Sequence, residues 1–157
     1  MWAMQIDVGA TAPDFALKDQ HGQTVALSDY RDRKNVLLVF YPWSFSRICT
    51  SEMCEIRDAQ PRLQGDDVEV LAVSCDAMFT QRVYAEQEHL EYPVLSDFWS
   101  HGAFASAYGV FDDRLGAAIR GSFVVDKSGI VQWRVVNGVG EARDLDDYQT
   151  VLRRLSA

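Results

Sequence analysis

Apolar and polar stretches alternate along the chain in a way that predicts an α/β protein. Two nearly continuous apolar runs, Val36 to Tyr41 and Val68 to Ser74, are typical of central strands covered on both faces. Helices are predicted over residues 50–60, 80–89, 102–108 and 146–155. Pro61 is expected to kink or end the first of them, because proline removes a helical hydrogen bond. Strands alternating with helices indicate a sheet flanked by helices.

Two further pairs of short strands are predicted to form hairpins. The first pair, 15–18 and 23–27, is joined by the turn residues Asp19-Gln20-His21-Gly22 and would be an N-terminal β-hairpin. The second pair, 122–126 and 130–136, is joined by Lys127-Ser128-Gly129. The sequence contains no long linker, repeat or low-complexity tract, so we expect residues 1–157 to form a single domain.

A cysteine lies where a predicted strand passes into a predicted helix. The strand-like run 35–41 precedes it and the helix follows, so Cys49 is expected on the first helical turn. Free backbone N–H groups and the helix dipole favour an anion there, and they can lower a thiol pKa from its usual value of about 8.5. Ser46, three residues earlier, can bring a hydroxyl to the same pocket. Pro42, seven residues earlier, would fix the loop and shield the thiolate from water.

The spacing Pro-x-x-x-Ser-x-x-Cys of Pro42 to Cys49 resembles the active-site loop of the peroxiredoxins, which are thiol peroxidases with a thioredoxin-like fold. The resemblance covers nearly the whole chain. Val8 to Leu17 is similar to the first strand of the family, Leu95 to Trp99 and Ala107 to Val110 to a later loop and helix, and Arg120 to Asp126 to the strand with the active-site arginine. The segments 98–103 and 107–111 are most similar to the E-type alkyl hydroperoxide reductases of actinobacteria.

This resemblance implies a thioredoxin-like fold, in which helices flank a central mixed sheet, and a specific chemistry. The protein would reduce hydrogen peroxide and organic hydroperoxides through a sulfenic acid on Cys49. Arg120 would face the cysteine, where its planar guanidinium can hold the thiolate and a peroxide oxygen together. Glu52 matches a position that is often acidic in the family. It lies three residues after Cys49 on the same helix face, from which it would orient Arg120 or the loop.

Cys54 departs from the E-type pattern, which usually relies on one cysteine. Its spacing from Cys49 resembles the bacterioferritin-comigratory type, in which a second thiol resolves the sulfenic acid. On an intact helix the two Cα atoms would lie about 8 to 9 Å apart. A disulfide spans no more than about 7 Å, so bonding requires the helix to unwind. Cys54 lies off the apolar stripe of Met53, Ile56 and Leu63, which predicts an accessible face. A surface cysteine without function is the alternative interpretation.

Two other functions are alternatives to a peroxidase. A peroxide sensor or redox-regulated holdase would employ the same oxidation, whereas a thioredoxin-like disulfide oxidoreductase would need a Cys-x-x-Cys pair that the sequence lacks. Cys75 follows a central strand and is expected to be a buried, inert thiol.

The reductant stays open among thioredoxin, a mycoredoxin-type glutaredoxin and a low-molecular-weight thiol. The resemblance also implies a homodimer through the loops that flank the site. Four aromatic residues are expected in the core or in an interface, or else to line an apolar mouth of the active site for an organic peroxide: Trp43, Phe45, Phe98 and Trp99.

Composition and charge restrict the partners and the compartment. A formal charge of -8 disfavours nucleic acid and anionic membranes as partners. Residues 1–7 show no basic segment followed by an apolar core, and three cysteines are too few for a secreted disulfide framework, so we expect a cytoplasmic protein. No Cys/His grouping accompanies His21, His89 or His101, and no glycine-rich phosphate loop is present. We therefore expect neither a metal nor a nicotinamide or flavin cofactor.

Overall fold

The computed structural model of the protein describes residues 6–63, 65 and 67–156. Its strands are β1 (Ala16–Lys18), β2 (Thr24–Ala26), β3 (Asn35–Phe40), β4 (Val68–Ser74), β5 (Val94–Ser96), β6 (Phe111–Asp112), β7 (Ala117–Ala118), β8 (Arg120–Val125) and β9 (Val131–Asn137). Its helices are α1 (Arg47–Leu63), α2 (Met78–Glu88), α3 (Ala103–Ala107) and α4 (Leu145–Ser156), and a 3-10 turn covers Leu27–Tyr30.

Seven strands form one mixed sheet in the order β2-β1-β5-β4-β3-β8-β9, and β6 pairs with β7 in a separate hairpin. Strands β3, β4 and β5 run parallel to one another, and β8 runs antiparallel to β3. Every residue of β3 and β8 is buried, as expected for strands covered on both faces. The predicted mixed sheet with flanking helices is confirmed, as are both hairpins, β1–β2 and β8–β9.

Two apolar clusters fill the space between the sheet and the elements that cover it. Alternate residues of β3 point to opposite faces, so Leu37 and Val39 pack with α1 and α4, whereas Leu38 and Phe40 pack in the second cluster. The first cluster includes Met53, Ile56 and Leu63 of α1 and Tyr148, Val151 and Leu152 of α4. The apolar stripe predicted for α1 therefore anchors that helix, and with it the site at its first turn.

Three sequence-based expectations need correction. Pro61 lies inside α1, which continues to Leu63, so the helix does not end at the proline; a kink there stays a prediction. The first strand begins at Ala16 rather than near Val8, and Pro13 before it lacks the N–H that a strand ladder needs. The segment expected to be a loop from Leu95 onward starts instead with β5, which pairs with β4.

Two further findings concern only the part of the chain that the structure describes. No helix there has the length and apolar character needed to cross a membrane. Within the same residues, no three His, Cys, Asp or Glu side chains are grouped closely enough to hold a metal ion.

Candidate active site

Cys49 lies at one edge of the sheet, where β3 ends and α1 begins. It is the third residue of α1, and its side chain is fully buried. The loop between β3 and α1 contains Phe45, whose φ of 72° is in the left-handed region. That conformation is unusual for a residue with a side chain, so the neighbouring contacts must hold the loop in place.

Arg120 faces Cys49 across the end of the sheet. Because β8 runs antiparallel to β3, its first residue lies at the same edge as the last residues of β3. Arg120 Nη1 lies 3.3 Å from Cys49 Sγ, within hydrogen-bonding distance. The Nε of Arg120 donates to the carbonyl oxygen of Val139 at 2.9 Å, which fixes the plane of the guanidinium.

Glu52 joins Arg120 to a second arginine, Arg143. Glu52 Oε1 accepts from Arg120 Nη1 at 2.6 Å and from Arg143 Nη2 at 2.9 Å. Glu52 Oε2 accepts from the backbone N–H of Arg143 at 2.8 Å and from its Nε at 2.9 Å. Arg143 Nη1 donates to the carbonyl oxygens of Phe40 and Gly121 at 2.6 and 2.9 Å. All three ionic side chains are at most 5% exposed.

These contacts keep the carboxylate of Glu52 ionised. Burial alone would raise its pKa, but the hydrogen bonds and charge of Arg143, together with the charge of Arg120, hold the pKa of Glu52 below its ordinary value. Burial likewise works against the charge of Arg143, yet its neighbours Tyr148 and Glu52 raise its pKa. Arg120, which contacts Cys49 Sγ, is therefore part of a buried cluster of two cations and one anion with a net charge of +1.

The structure places Ser46 and Pro42 in the same loop but does not bring them into the charged cluster. Ser46 Oγ donates to the carbonyl oxygen of Trp43 at 3.0 Å, and no hydrogen bond between Ser46 and Cys49 occurs among the described residues. The carbonyl oxygen of Ser46 accepts from Thr50 N–H at 2.9 Å, which starts α1. Pro42 is buried at the end of β3.

Cys54 and Cys75 have surroundings unlike those of Cys49. Cys54 is partly exposed beside α2, where its thiol donates to Glu88 Oε2 at 3.5 Å. Burial and the neighbouring Glu88 raise the pKa of Cys54. Burial and the charge of Asp97 raise the pKa of Cys75 to about 12. Both thiols are therefore poor nucleophiles near neutral pH.

Sequence reasoning missed Arg143 and Asp76. Arg143 lies in the irregular segment before α4, where no periodicity marks a buried residue, and no signal in the sequence identifies it. Asp76 accepts hydrogen bonds from Ser44 of the loop and from Ser74. A signal for Asp76 did exist, because Ser74 and Asp76 come at the carboxyl end of a central parallel strand, where functional side chains often lie.

Four aromatic side chains predicted near the site are exposed rather than part of a core. Trp43 and Phe45 are 39% and 47% exposed in the loop after β3, and Phe98 and Trp99 are 50% and 84% exposed after β5. Parallel strands bring these two loops to the same edge of the sheet. Their exposure excludes a place in the core. An interface or an apolar mouth of the active site remains for these four residues.

The chain is similar to known proteins in both sequence and fold. The sequence profile of the AhpC/TSA family matches residues 8–134. The chain is 47% identical over 152 residues to alkyl hydroperoxide reductase E of Mycobacterium tuberculosis, covering 97% of this chain and 99% of that protein. Among solved structures it is similar to peroxidoxin BcpB from Mycobacterium tuberculosis (TM-score 0.87, 29% identity, 98% of this chain and 100% of that chain). It is also similar to reduced Plasmodium vivax 2-Cys peroxiredoxin (TM-score 0.86, 26% identity, 95% and 81%).

Proposed function

The chain belongs to the AhpC/TSA family and is a thiol-dependent peroxidase with a thioredoxin-like fold, and we propose that Cys49 is the thiol that attacks the peroxide. The observation that carries this proposal is the 3.3 Å contact between Arg120 Nη1 and Cys49 Sγ at the first turn of α1. A guanidinium and a helix N-terminus both favour negative charge on the sulfur. Of the three thiols, Cys49 has this arrangement, whereas burial and negative neighbours raise the pKa values of Cys54 and Cys75.

In the proposed first step the Cys49 thiolate attacks one oxygen of the peroxide. A sulfur–oxygen bond forms as the oxygen–oxygen bond breaks, and the departing oxygen leaves as water or an alcohol after it takes up a proton. The sulfur is oxidised to a sulfenic acid and the peroxide is reduced. Negative charge moves from the sulfur to the departing oxygen, so donors placed around both atoms lower the barrier.

The other site residues have supporting roles in this proposal. Arg120 donates to the sulfur and to a peroxide oxygen, and Glu52 holds the guanidinium in position with the help of Arg143. Ser46 would turn its hydroxyl from the Trp43 carbonyl to a peroxide oxygen when substrate enters. Pro42 shields the thiolate from water.

A thiol reductant must return the sulfenic acid to the thiol. We propose an external thiol for this step: it condenses with the Cys49 sulfenic acid to give a mixed disulfide and water, and a second thiol then releases Cys49. Two observations act against Cys54 as the resolving residue. Its raised pKa reduces its thiolate fraction, and α1 is a continuous helix through Cys49 and Cys54, so their bonding would require local unwinding. The Cys54 route is the competing hypothesis.

Replacement of the cysteines one at a time tests the assignment. We expect Cys49→Ser to abolish peroxide consumption in the presence of a dithiol reductant. Cys75→Ser should keep nearly the full rate, because its thiol has a pKa of about 12 and is almost entirely protonated at neutral pH. A Cys49→Ser protein that still consumes peroxide at the unmodified rate would refute the proposal.

Three further features belong to the proposal. The exposed aromatic loops support a homodimer through the flanks of the site, because exposed apolar patches mark interaction surfaces. The need for a thiol reductant supports a cytoplasmic location, because thiols are kept reduced there. The seven-stranded sheet takes strands from both halves of the chain, from β1 and β2 to β8 and β9, which supports a single domain.

A further inference from the structure

A carboxylate outside the charged cluster holds the loop that leads to Cys49. Asp76 Oδ2 accepts two hydrogen bonds from Ser44, one from its backbone N–H at 2.9 Å and one from its hydroxyl at 2.8 Å. It also accepts from the Ser74 hydroxyl at 2.7 Å. Ser44 is a loop residue between β3 and α1, whereas Asp76 follows β4, so these bonds fasten the loop to the neighbouring strand.

Further hydrogen bonds of Ser44 and Ser74 show which group donates in each contact and hold the two hydroxyl groups in place. The single hydroxyl hydrogen of Ser44 is directed to Asp76, so Tyr41 is the donor in its 3.0 Å contact with Ser44 Oγ. Burial and the charge of Asp76 raise the pKa of Tyr41, which keeps that hydroxyl protonated as the donor requires. Gln81 Nε2 donates to Ser74 Oγ at 2.9 Å, and so holds that hydroxyl in the orientation in which it donates to Asp76.

The backbone on the other side of Ser44 is strained. Phe45 follows directly with a φ of 72°, and α1 begins two residues later at Arg47. A side-chain-bearing residue is unfavourable in the left-handed region, and it relaxes unless neighbouring contacts prevent this. The two bonds from Ser44 to Asp76 are contacts of that kind, immediately before the strained residue.

We propose that Asp76 is a positioning residue for the peroxidase reaction, which holds the first turn of α1 so that Cys49 stays aligned with Arg120. The inference rests on the proposed role of Cys49. Because the Cys49 side chain is fully buried and lies 3.3 Å from the guanidinium, a small displacement of the turn both breaks that contact and opens the thiol to solvent. We call the two hydrogen bonds from Ser44 to Asp76 the tether. Its loss should slow the reaction with peroxide, which needs Cys49 aligned with Arg120. It should speed up modification of the thiol by reagents that need no such alignment.

Two rates measured on the same variants test this. Oxidation of Cys49 by hydrogen peroxide should fall about 10- to 100-fold in Asp76→Ala, as for a misplaced reacting group. Labelling of Cys49 by N-ethylmaleimide, followed by peptide mass spectrometry with Cys54 as the internal reference, should instead become faster. Asp76→Asn should lie between the unmodified protein and Asp76→Ala, since its amide oxygen still accepts hydrogen bonds but carries no charge.

Ser44→Ala is the second, milder variant, because it removes only the hydroxyl bond and leaves the backbone N–H in place. We expect a smaller loss of peroxide rate, and in the Asp76→Ala background no further loss, because the bond is already absent. Ser128→Ala is the matched control: this exposed serine lies in the turn between β8 and β9 at the opposite edge of the sheet, and both rates should be unchanged.

Slower oxidation of Cys49 by peroxide together with faster labelling by N-ethylmaleimide indicates a loss of positioning. General destabilisation would instead expose all the thiols together. If Ser44→Ala and Asp76→Asn fold and react with peroxide at the unmodified rate, or if the effects of Ser44→Ala and Asp76→Ala multiply, the tether is refuted. Cys49→Ser, measured alongside, distinguishes this outcome from failure of the proposed function. Persisting peroxide consumption in Cys49→Ser overturns the role of Cys49 itself.

Discussion

Replacing Glu52 by glutamine tests the charged cluster most directly. The substitution keeps the shape of the side chain but removes the negative charge between two guanidinium groups. An amide also offers only one acceptor oxygen, whereas Glu52 accepts four hydrogen bonds through two oxygens. The variant therefore leaves Arg120 and Arg143 as buried cations with poorer partners.

The size of the effect follows from the burial of the three groups. Their side chains are 1–5% exposed, so solvent screens the charges little. Removing one partner of a buried ion pair costs about 3–5 kcal/mol. For a chain of 157 residues, each kcal/mol lowers the melting temperature by about 2–4 °C, so we expect a decrease of about 6–20 °C.

The loss should depend on pH in a defined direction. Because the pKa of Glu52 in the folded protein lies below its usual value of 4.5, the folded state binds this proton more weakly than the unfolded state. Its contribution to stability is therefore complete above pH 4.5 and is lost as the pH falls through the lower, folded pKa. The difference in stability between the unmodified protein and Glu52→Gln should be largest near neutral pH and shrink below pH 4.5.

Thermal denaturation at several pH values measures these quantities, and stopped-flow tryptophan fluorescence measures the reaction with peroxide. Glu55→Gln is the matched control, because this exposed residue lies one turn further along the same helix. We expect the peroxide rate of Glu52→Gln to fall at least about tenfold, since Arg120 loses its anchor. A variant with a melting temperature within 2 °C of Glu55→Gln, as a rough tolerance, and an unchanged peroxide rate would contradict the assignment.

Three other substitutions address the remaining parts of the site. Arg120→Lys should slow oxidation of Cys49 about 10²–10³-fold, and Ser46→Ala should slow it too, because each removes a donor to developing charge; rapid kinetics will show whether either rate stays unchanged. Intact mass after one equivalent of peroxide separates the fates of the sulfenic acid: bonding to Cys54 loses two hydrogens, whereas a lasting sulfenic acid gains one oxygen. We expect the latter. Trp99→Ser should shift a dimer towards monomer in sedimentation experiments, and an unchanged assembly would remove this loop from the interface.

Much of the fold can be predicted from the sequence because its central strands are buried on both faces. Such strands appear as continuous apolar runs, as in β3 and β4. Strand β5 has only three residues and follows Pro93, so it carries too few positions for a recognisable period. The strands β6 and β7 have two residues each and depend on their mutual pairing, which no local pattern reveals.

Part of the site can likewise be predicted from residues close together in sequence, whereas another part depends on residues far apart in the chain. Cys49 and Glu52 share a helix face, so their proximity follows from helical spacing, and the resemblance to a known family supplies Arg120. Arg143 joins the cluster through its backbone N–H as well as its side chain, from a loop 91 residues away from Glu52 in sequence. Such a contact depends on the path of an irregular segment, and one sequence without its structure does not specify that path.

In the proposed reaction of Cys49 with peroxide, the second arginine also explains how the cluster tolerates a change of charge. When Cys49 is a thiolate, two cations balance two anions, but conversion to a neutral sulfenic acid leaves one buried positive charge uncompensated. Carbonyl oxygens already face the guanidinium groups, with Val139 accepting from Arg120 and Phe40 and Gly121 accepting from Arg143. These fixed dipoles solvate the excess charge where water has little access. The same groups can therefore stabilise the thiolate before the attack and remain in place after it.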